Sequence, residues 1–317
     1  MKRIFKDSEG EYRPWFQIGG IYLGTLMSQV IVMFILGIGV IIFVGMKAGL
    51  VGDNSATNMD AMIMATMESG LVVMLSQCLA SIIGIIAAIL FYRAMNKRKI
   101  ATMGLTSIKK DGKDLAAGLG LGILFISILI GILTLTGDYK FVGFNISTDL
   151  LLGLIMFIGV GFYEEILVRG VFQHTIHRKH SIIWAILIPS VLFSIMHFGN
   201  PNIGNMPAVN LFLAGVLFAI ITYKTGNLWM AIGIHITWNY TMGNIFGIEV
   251  SGMRFGNGLI QMERNTDTIL NGGNFGLEGG YLCTILLCLL ILGISTMKKR
   301  TIDIDNNKSI DNSTTMM

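Results

Sequence analysis

Three apolar stretches of this sequence each carry side chains with chemistry to do. The first contains Glu164, Glu165 and Arg169 in Phe162-Tyr163-Glu164-Glu165-Ile166-Leu167-Val168-Arg169-Gly170. The second ends in Phe193-Ser194-Ile195-Met196-His197, and the third holds His235-Ile236-Thr237-Trp238-Asn239. An ionisable group inside an apolar span costs roughly 2.5–3.5 kcal/mol on insertion scales, so each needs a reason to be there. Residues four apart share a helix face, which lets Glu165 pair with Arg169 and sends His235 and Asn239 out from one side. Glu164 lies about 100° around the helix from Glu165 and has no local cation. A carboxylate beside an imidazole can hold and deprotonate a water, and a second imidazole with an amide can donate to an oxyanion. Together these groups would hydrolyse an amide bond. The competing chemistry is a metal: Glu164, His197 and His235 are a common zinc set with one open position, and zinc is the cofactor that reading would need. Against it, neither His belongs to a His-Glu-x-x-His helix, and Asn239 is a poor zinc ligand.

Each feature also has a plainer explanation. Glu165 with Arg169 can be a purely structural ion pair. His235 and Asn239 can simply hold helices together through hydrogen bonds, and His197 can be an interfacial histidine near a helix end. His174, His177 and His180, with Arg178 and Lys179, read as a solvated basic turn. The methionines scatter over many apolar segments and read as packing.

The elements that must position these groups are membrane helices. Of 317 residues, 53% are hydrophobic and 13% are charged, whereas a soluble domain carries about 25% charged residues. A span needs about 20 mostly apolar residues. Such stretches run over 17–45, 71–92, 115–136, 149–172, 181–199, 208–223, 227–246 and 281–296. The expected fold is therefore an all-α integral membrane protein of about eight transmembrane helices. The first stretch lacks a small-residue cleavage site and reads as a retained, tilted span. Lys and Arg concentrate around 2–13, 93–113, 178–179, 224 and 298–300, and thin out in the alternate loops. That bias puts both termini in the cytoplasm. Trp15, Trp184 and Trp229 each begin a span on that side, where indole rings favour the headgroup level. Counting 1.5 Å per residue from the cytoplasmic ends places Glu164 about 15 Å deep, His197 about 22 Å, His235 about 12 Å and Asn239 about 18 Å. Three helices thus deliver polar groups to one band of the bilayer.

The chain divides into a cytoplasmic segment 1–16, three helices in 17–148, a four-helix core 149–246, an outer loop 247–280, a last helix 281–297 and a disordered cytoplasmic tail 298–317. The Gly- and Asn-rich outer loop reads as a flexible connector rather than a lid. A net charge of +4 dispersed over short loops does not indicate nucleic-acid binding. Cys78, Cys283 and Cys288 all sit in apolar segments, which argues against a disulfide framework.

The ordered set Glu164-Glu165-x-x-x-Arg169, Phe193-x-x-x-His197 and His235-x-x-x-Asn239 resembles the CPBP family. That family includes type II CAAX prenyl endopeptidases and bacterial relatives linked to bacteriocin processing or self-immunity. The resemblance covers roughly 149–246 and implies a site among the fourth, fifth and seventh spans. It implies that Glu164 and His197 activate water, that His235 and Asn239 stabilise the oxyanion, and that Glu165 and Arg169 are structural or orient the substrate. Members are commonly labelled metalloproteases, so both the metal and the metal-free readings stay open. The expected function is an intramembrane endopeptidase acting on membrane-associated or lipid-modified peptides, in a bacterial plasma membrane. Two other classes compete with it: a non-catalytic immunity-type protein that binds a partner, and a proton-coupled transporter. The expected partners are a peptide or membrane-protein substrate and lipid. The sequence says nothing of oligomeric state.

Overall fold

The computed structural model describes residues 2–8, 10–51, 62, 63, 66 and 70–300; the expected disordered tail lies outside the described residues from 301 onward. Among the described residues, eight long helices occupy the eight apolar stretches. They are α1 (Pro14–Val51), α2 (Gly70–Asn96), α3 (Ile108–Leu135), α4 (Asp149–Glu165), α5 (Ile182–Met196), α6 (Asn205–Thr225), α7 (Trp229–Tyr240) and α8 (Tyr281–Thr296). By length and composition, five helical segments can cross a membrane: Pro14–Met46, Gly70–Asn96, Ile100–Leu135, Asp149–His177 and Asn205–Thr225. The α5 and α8 helices are shorter and apolar. Outward-facing apolar side chains such as Leu23, Met27, Ile31, Phe34, Leu90, Ile188 and Leu289 leave an apolar surface of the kind that lipid covers. The chain is an integral membrane protein.

Helix α7, which carries His235 and Asn239, is set by close packing against α3. A Cβ on Gly118 would lie 2.3 Å from the Met230 carbonyl oxygen, and one on Gly122 would lie 2.2 Å from Thr237 Oγ1. Gly233 faces back with the Leu115 carbonyl 2.6 Å from its would-be Cβ. Small residues spaced four apart let two backbones touch in lipid, where hydrophobic burial gives no drive. Thr237 Oγ1 then donates to the Leu119 carbonyl across the seam at 2.8 Å. At the start of α7, Asn227 Oδ1 accepts the Trp229 backbone N–H at 2.9 Å while Asn227 Nδ2 donates to Asp114 Oδ2 at 2.6 Å. These bonds satisfy a donor that the first helical turn leaves open. Trp229 itself is buried, with its indole N–H donating to the Thr106 carbonyl at 3.2 Å, so it is no headgroup anchor. Trp15 and Trp184 are exposed, as that role requires.

Three features depart from expectation. Helix α4 passes without a break into a π-helical stretch, Ile166–Gln173, and α7 passes into another, Thr241–Ile245. Secondly, the fold is not purely helical: β1 (Tyr139–Phe144) pairs antiparallel with β2 (Ile260–Arg264), in register Tyr139↔Arg264 to Phe144↔Ile260, with an irregularity between Phe141 and Gly143. Thirdly, 247–280 is not a loose connector but a folded cap. Gly276 takes a positive φ and packs so tightly that a Cβ there would lie 1.9 Å from the Glu249 carbonyl oxygen. Its glycines thus serve close backbone contact. Asp138 ties the cap down, accepting from Thr268 Oγ1 at 2.5 Å and Asn271 Nδ2 at 3.0 Å. The cysteines are unpaired: Cys283 is buried, Cys78 half-buried and Cys288 exposed.

Candidate active site

The site forms where the end of α4, the end of α5 and the middle of α7 meet. Glu165 and Arg169 are both wholly buried, and Arg169 Nη1 donates to Glu165 Oε1 at 2.9 Å. Arg169 Nη2 donates to the Gly215 carbonyl of α6 at 3.2 Å. Its guanidinium lies 4.6 Å from the ring centre of Phe193 and 5.2 Å from that of Phe218, so two aromatic faces help replace its lost hydration. The same Glu165 oxygen accepts from His235 Nδ1 at 2.8 Å. Glu165 thus fixes both the tautomer and the orientation of the His235 ring and turns Nε2 inward. Phe218 stacks on that ring at 5.4 Å and 24°.

Glu164 occupies the position that Nε2 faces. Its Oε2 is buried, makes no hydrogen bond to any described residue, and lies 3.7 Å from His235 Nε2 and 4.0 Å from His197 Nε2. His197 follows directly after α5, and its Nδ1 sits 2.8 Å from the Phe193 carbonyl, an obligate acceptor. Nδ1 therefore carries the hydrogen, and in the neutral ring Nε2 presents a lone pair toward Glu164. All three groups open into a cavity of about 480 Å³, and Asn239 lines the same space. The residues singled out in the sequence are thereby brought together: Glu164, Phe193, His197, His235 and Asn239 on the cavity wall, with Glu165 and Arg169 behind them. Of the basic turn, His177 and His180 are exposed as expected, while His174 is half-buried.

Two ligands of a tetrahedral zinc at about 2.0–2.1 Å stand about 3.4 Å apart; Glu164 Oε2 lies 3.7 Å from His235 Nε2 and 4.0 Å from His197 Nε2, so these three residues would hold a zinc only after the side chains draw closer. Among the described residues, no group of three His, Cys, Asp or Glu side chains is arranged to hold a metal.

Residues 145–241 match the family described as type II CAAX prenyl endopeptidase Rce1-like. The match spans less than half of the chain, starts just before α4 and ends just after Asn239, and so holds all three motifs. It is a protease family, and it agrees with the CPBP resemblance read from the motifs. No curated protein and no solved structure matches the chain.

Several residues of the site were not evident from sequence. Phe218 gave no signal beyond apolarity, yet it packs on both Arg169 and His235. Gln29 of α1 accepts from the Tyr163 hydroxyl at 3.3 Å and donates to the Ala80 carbonyl at 3.0 Å, beside the cavity. A glutamine in the middle of an apolar span was the available clue to it. Glu278 of the cap also reaches the cavity wall.

Proposed function

We propose that this protein is an intramembrane endopeptidase that hydrolyses a peptide bond of a membrane-associated or lipid-modified peptide by a water held at Glu164. The observation that carries this reading is the unsatisfied buried oxygen of Glu164, facing two imidazole Nε2 atoms at the edge of a cavity. A separation of 4.0 Å between Glu164 Oε2 and His197 Nε2 accommodates one water about 2.8 Å from each. That water donates one hydrogen bond to Glu164 and one to His197 Nε2; as its oxygen attacks the scissile carbonyl carbon, Glu164 takes one proton and the new O–H stays on the tetrahedral carbon. The tetrahedral oxyanion receives hydrogen bonds from Asn239 Nδ2 and from Nε2–H of His235 in its doubly protonated form, which Glu165 supports through Nδ1. Glu164 then passes its proton to the leaving amine as the C–N bond breaks. The cavity wall is mostly apolar, with Leu26, Val30, Met33, Val160, Leu217 and Met253 among its residues, which suits a hydrophobic or lipidated segment. In this reading eight spans place both termini on the cytoplasmic side of a bacterial plasma membrane, as the distribution of Lys and Arg supports.

The test uses purified protein in liposomes and a peptide panel with and without a C-terminal lipid, with products read by mass spectrometry. Cleavage near the lipidated end that persists in phenanthroline and EDTA is the expected result. Loss of cleavage on chelation, restored by zinc, would overturn the metal-free mechanism. Tight peptide binding without cleavage would favour a sequestering protein instead.

A further inference from the structure

The cap contributes a carboxylate to the cavity wall that the hydrolytic mechanism does not use. Glu278 Oε1 accepts the indole N–H of Trp238 at 3.1 Å, and Oε2 accepts the backbone N–H and the hydroxyl of Ser251 at 2.8 and 2.7 Å. Both oxygens are engaged by neutral donors, which fix the orientation of the Glu278 side chain. Its backbone is anchored as well: Asn210 Nδ2 on α6 donates to the carbonyls of Glu278 and Gly280 at 2.8 and 3.0 Å. Thr284 Oγ1 in turn holds Asn210 Oδ1 at 2.7 Å. One side chain therefore joins the cap at Ser251 to Trp238, the residue before Asn239 on α7. Trp238, Ser251 and Glu278 all line the cavity, as do Val250, Met253 and Phe255 of the cap.

We infer that Glu278 is a positioning residue that locks the cap onto Trp238, closes the cavity on the cap side and so sets the length of peptide segment that fits beside Glu164. The substrate part of this inference rests on the endopeptidase reading; the lock itself does not. Trp238→Phe keeps the ring and removes the N–H. Glu278→Gln keeps one acceptor and removes the charge. Ser251→Ala removes one bond and guards against a folding defect in the other two. Each variant, and the Glu278→Gln/Trp238→Phe pair, is reconstituted as the full chain. The readouts are hydrogen exchange over 247–280, and kcat and KM on lipidated peptides of increasing length.

Each single variant should speed exchange in the cap and raise KM about fivefold with kcat nearly unchanged. In the double variant the combined loss should fall short of the product of the two single losses, because both changes act on the Trp238–Glu278 contact. Peptides too long for the native protein should become substrates. Multiplying effects in the double variant, a fall in kcat at unchanged KM, or unaltered exchange in the cap would each refute the lock. If the native protein cleaves no peptide, the endopeptidase reading fails, while the exchange measurements still decide whether Glu278 holds the cap.

Discussion

The two donors assigned to the oxyanion should act on rate more than on binding. His235→Ala and Asn239→Ala are each expected to lower kcat by about 10²–10³ with KM little changed, because the oxyanion exists only at the transition state. Steady-state kinetics on a cleaved peptide checks this; equal losses in kcat and in affinity would contradict it. Arg169 should behave differently. It is buried between Phe193 and Phe218, and its removal leaves the buried Glu165 with His235 Nδ1 as its partner and the Gly215 carbonyl without its donor, at a cost of up to about 3–5 kcal/mol. Arg169→Met should therefore lower the melting temperature sharply. Arg169→Lys should not rescue it, because an ammonium cannot reach Glu165 and the Gly215 carbonyl while stacking on two rings. At this scale much was legible in the sequence. Glu165 with Arg169 is a local pair, and the four-residue spacing alone brings its members together. The link from Glu165 to His235 joins residues 70 apart, and only the packing of α7 against α4 creates it.

The elements hold these groups through contacts that tolerate no bulk. Gly122→Leu would drive a side chain into Thr237 Oγ1 and the Ile234 carbonyl, with an overpacking cost of about 1–3 kcal/mol or a shift of α7. The expected result is lost activity with helix content retained by circular dichroism. Gly120→Leu, which has open space around its would-be Cβ, should leave activity unchanged. Where the cap meets the end of α3, hydrogen bonds from Thr136 and Thr268 hold the Asp138 carboxyl below the usual carboxylate range, burial opposes them, and Asn271 adds to the lowering. Because the folded state favours the ionised form, this contribution is fully present above the ordinary Asp pKa and is lost as pH falls through the lowered folded value. Hydrogen exchange in 265–271 should thus accelerate in strongly acid buffer, and Asp138→Asn should remove that pH dependence. Helix positions were readable because apolar run length reports a span directly. The two π-helical stretches were not, since a change of hydrogen-bond register leaves no mark in apolar composition. The cap was misread because glycine permits either flexibility or close approach, and only its neighbours decide which. At Gly276 the carbonyl of Glu249 decides for close approach.

Across the whole molecule, the composition that excluded a soluble domain also exposes the apolar faces of α1, α5 and α8. Helix α1 is the extreme case, with 6% of its most apolar window buried within the protein. The eight-span arrangement predicts that tags at either terminus, and a cysteine at Lys110, label from the cytoplasmic side, whereas a cysteine at Ile269 in the cap labels from the opposite side. Tags reacting from opposite faces would require an odd number of spans. The account depends most on Glu164 as the base that activates water. Hydrolysis run in oxygen-18 water, with native protein and Glu164→Gln reconstituted side by side, tests it most directly. The native protein should place one heavy oxygen in the new carboxyl terminus of the cut peptide, and the variant, equally stable and still binding peptide, should release no product. Product formed by Glu164→Gln at the native rate would contradict the mechanism.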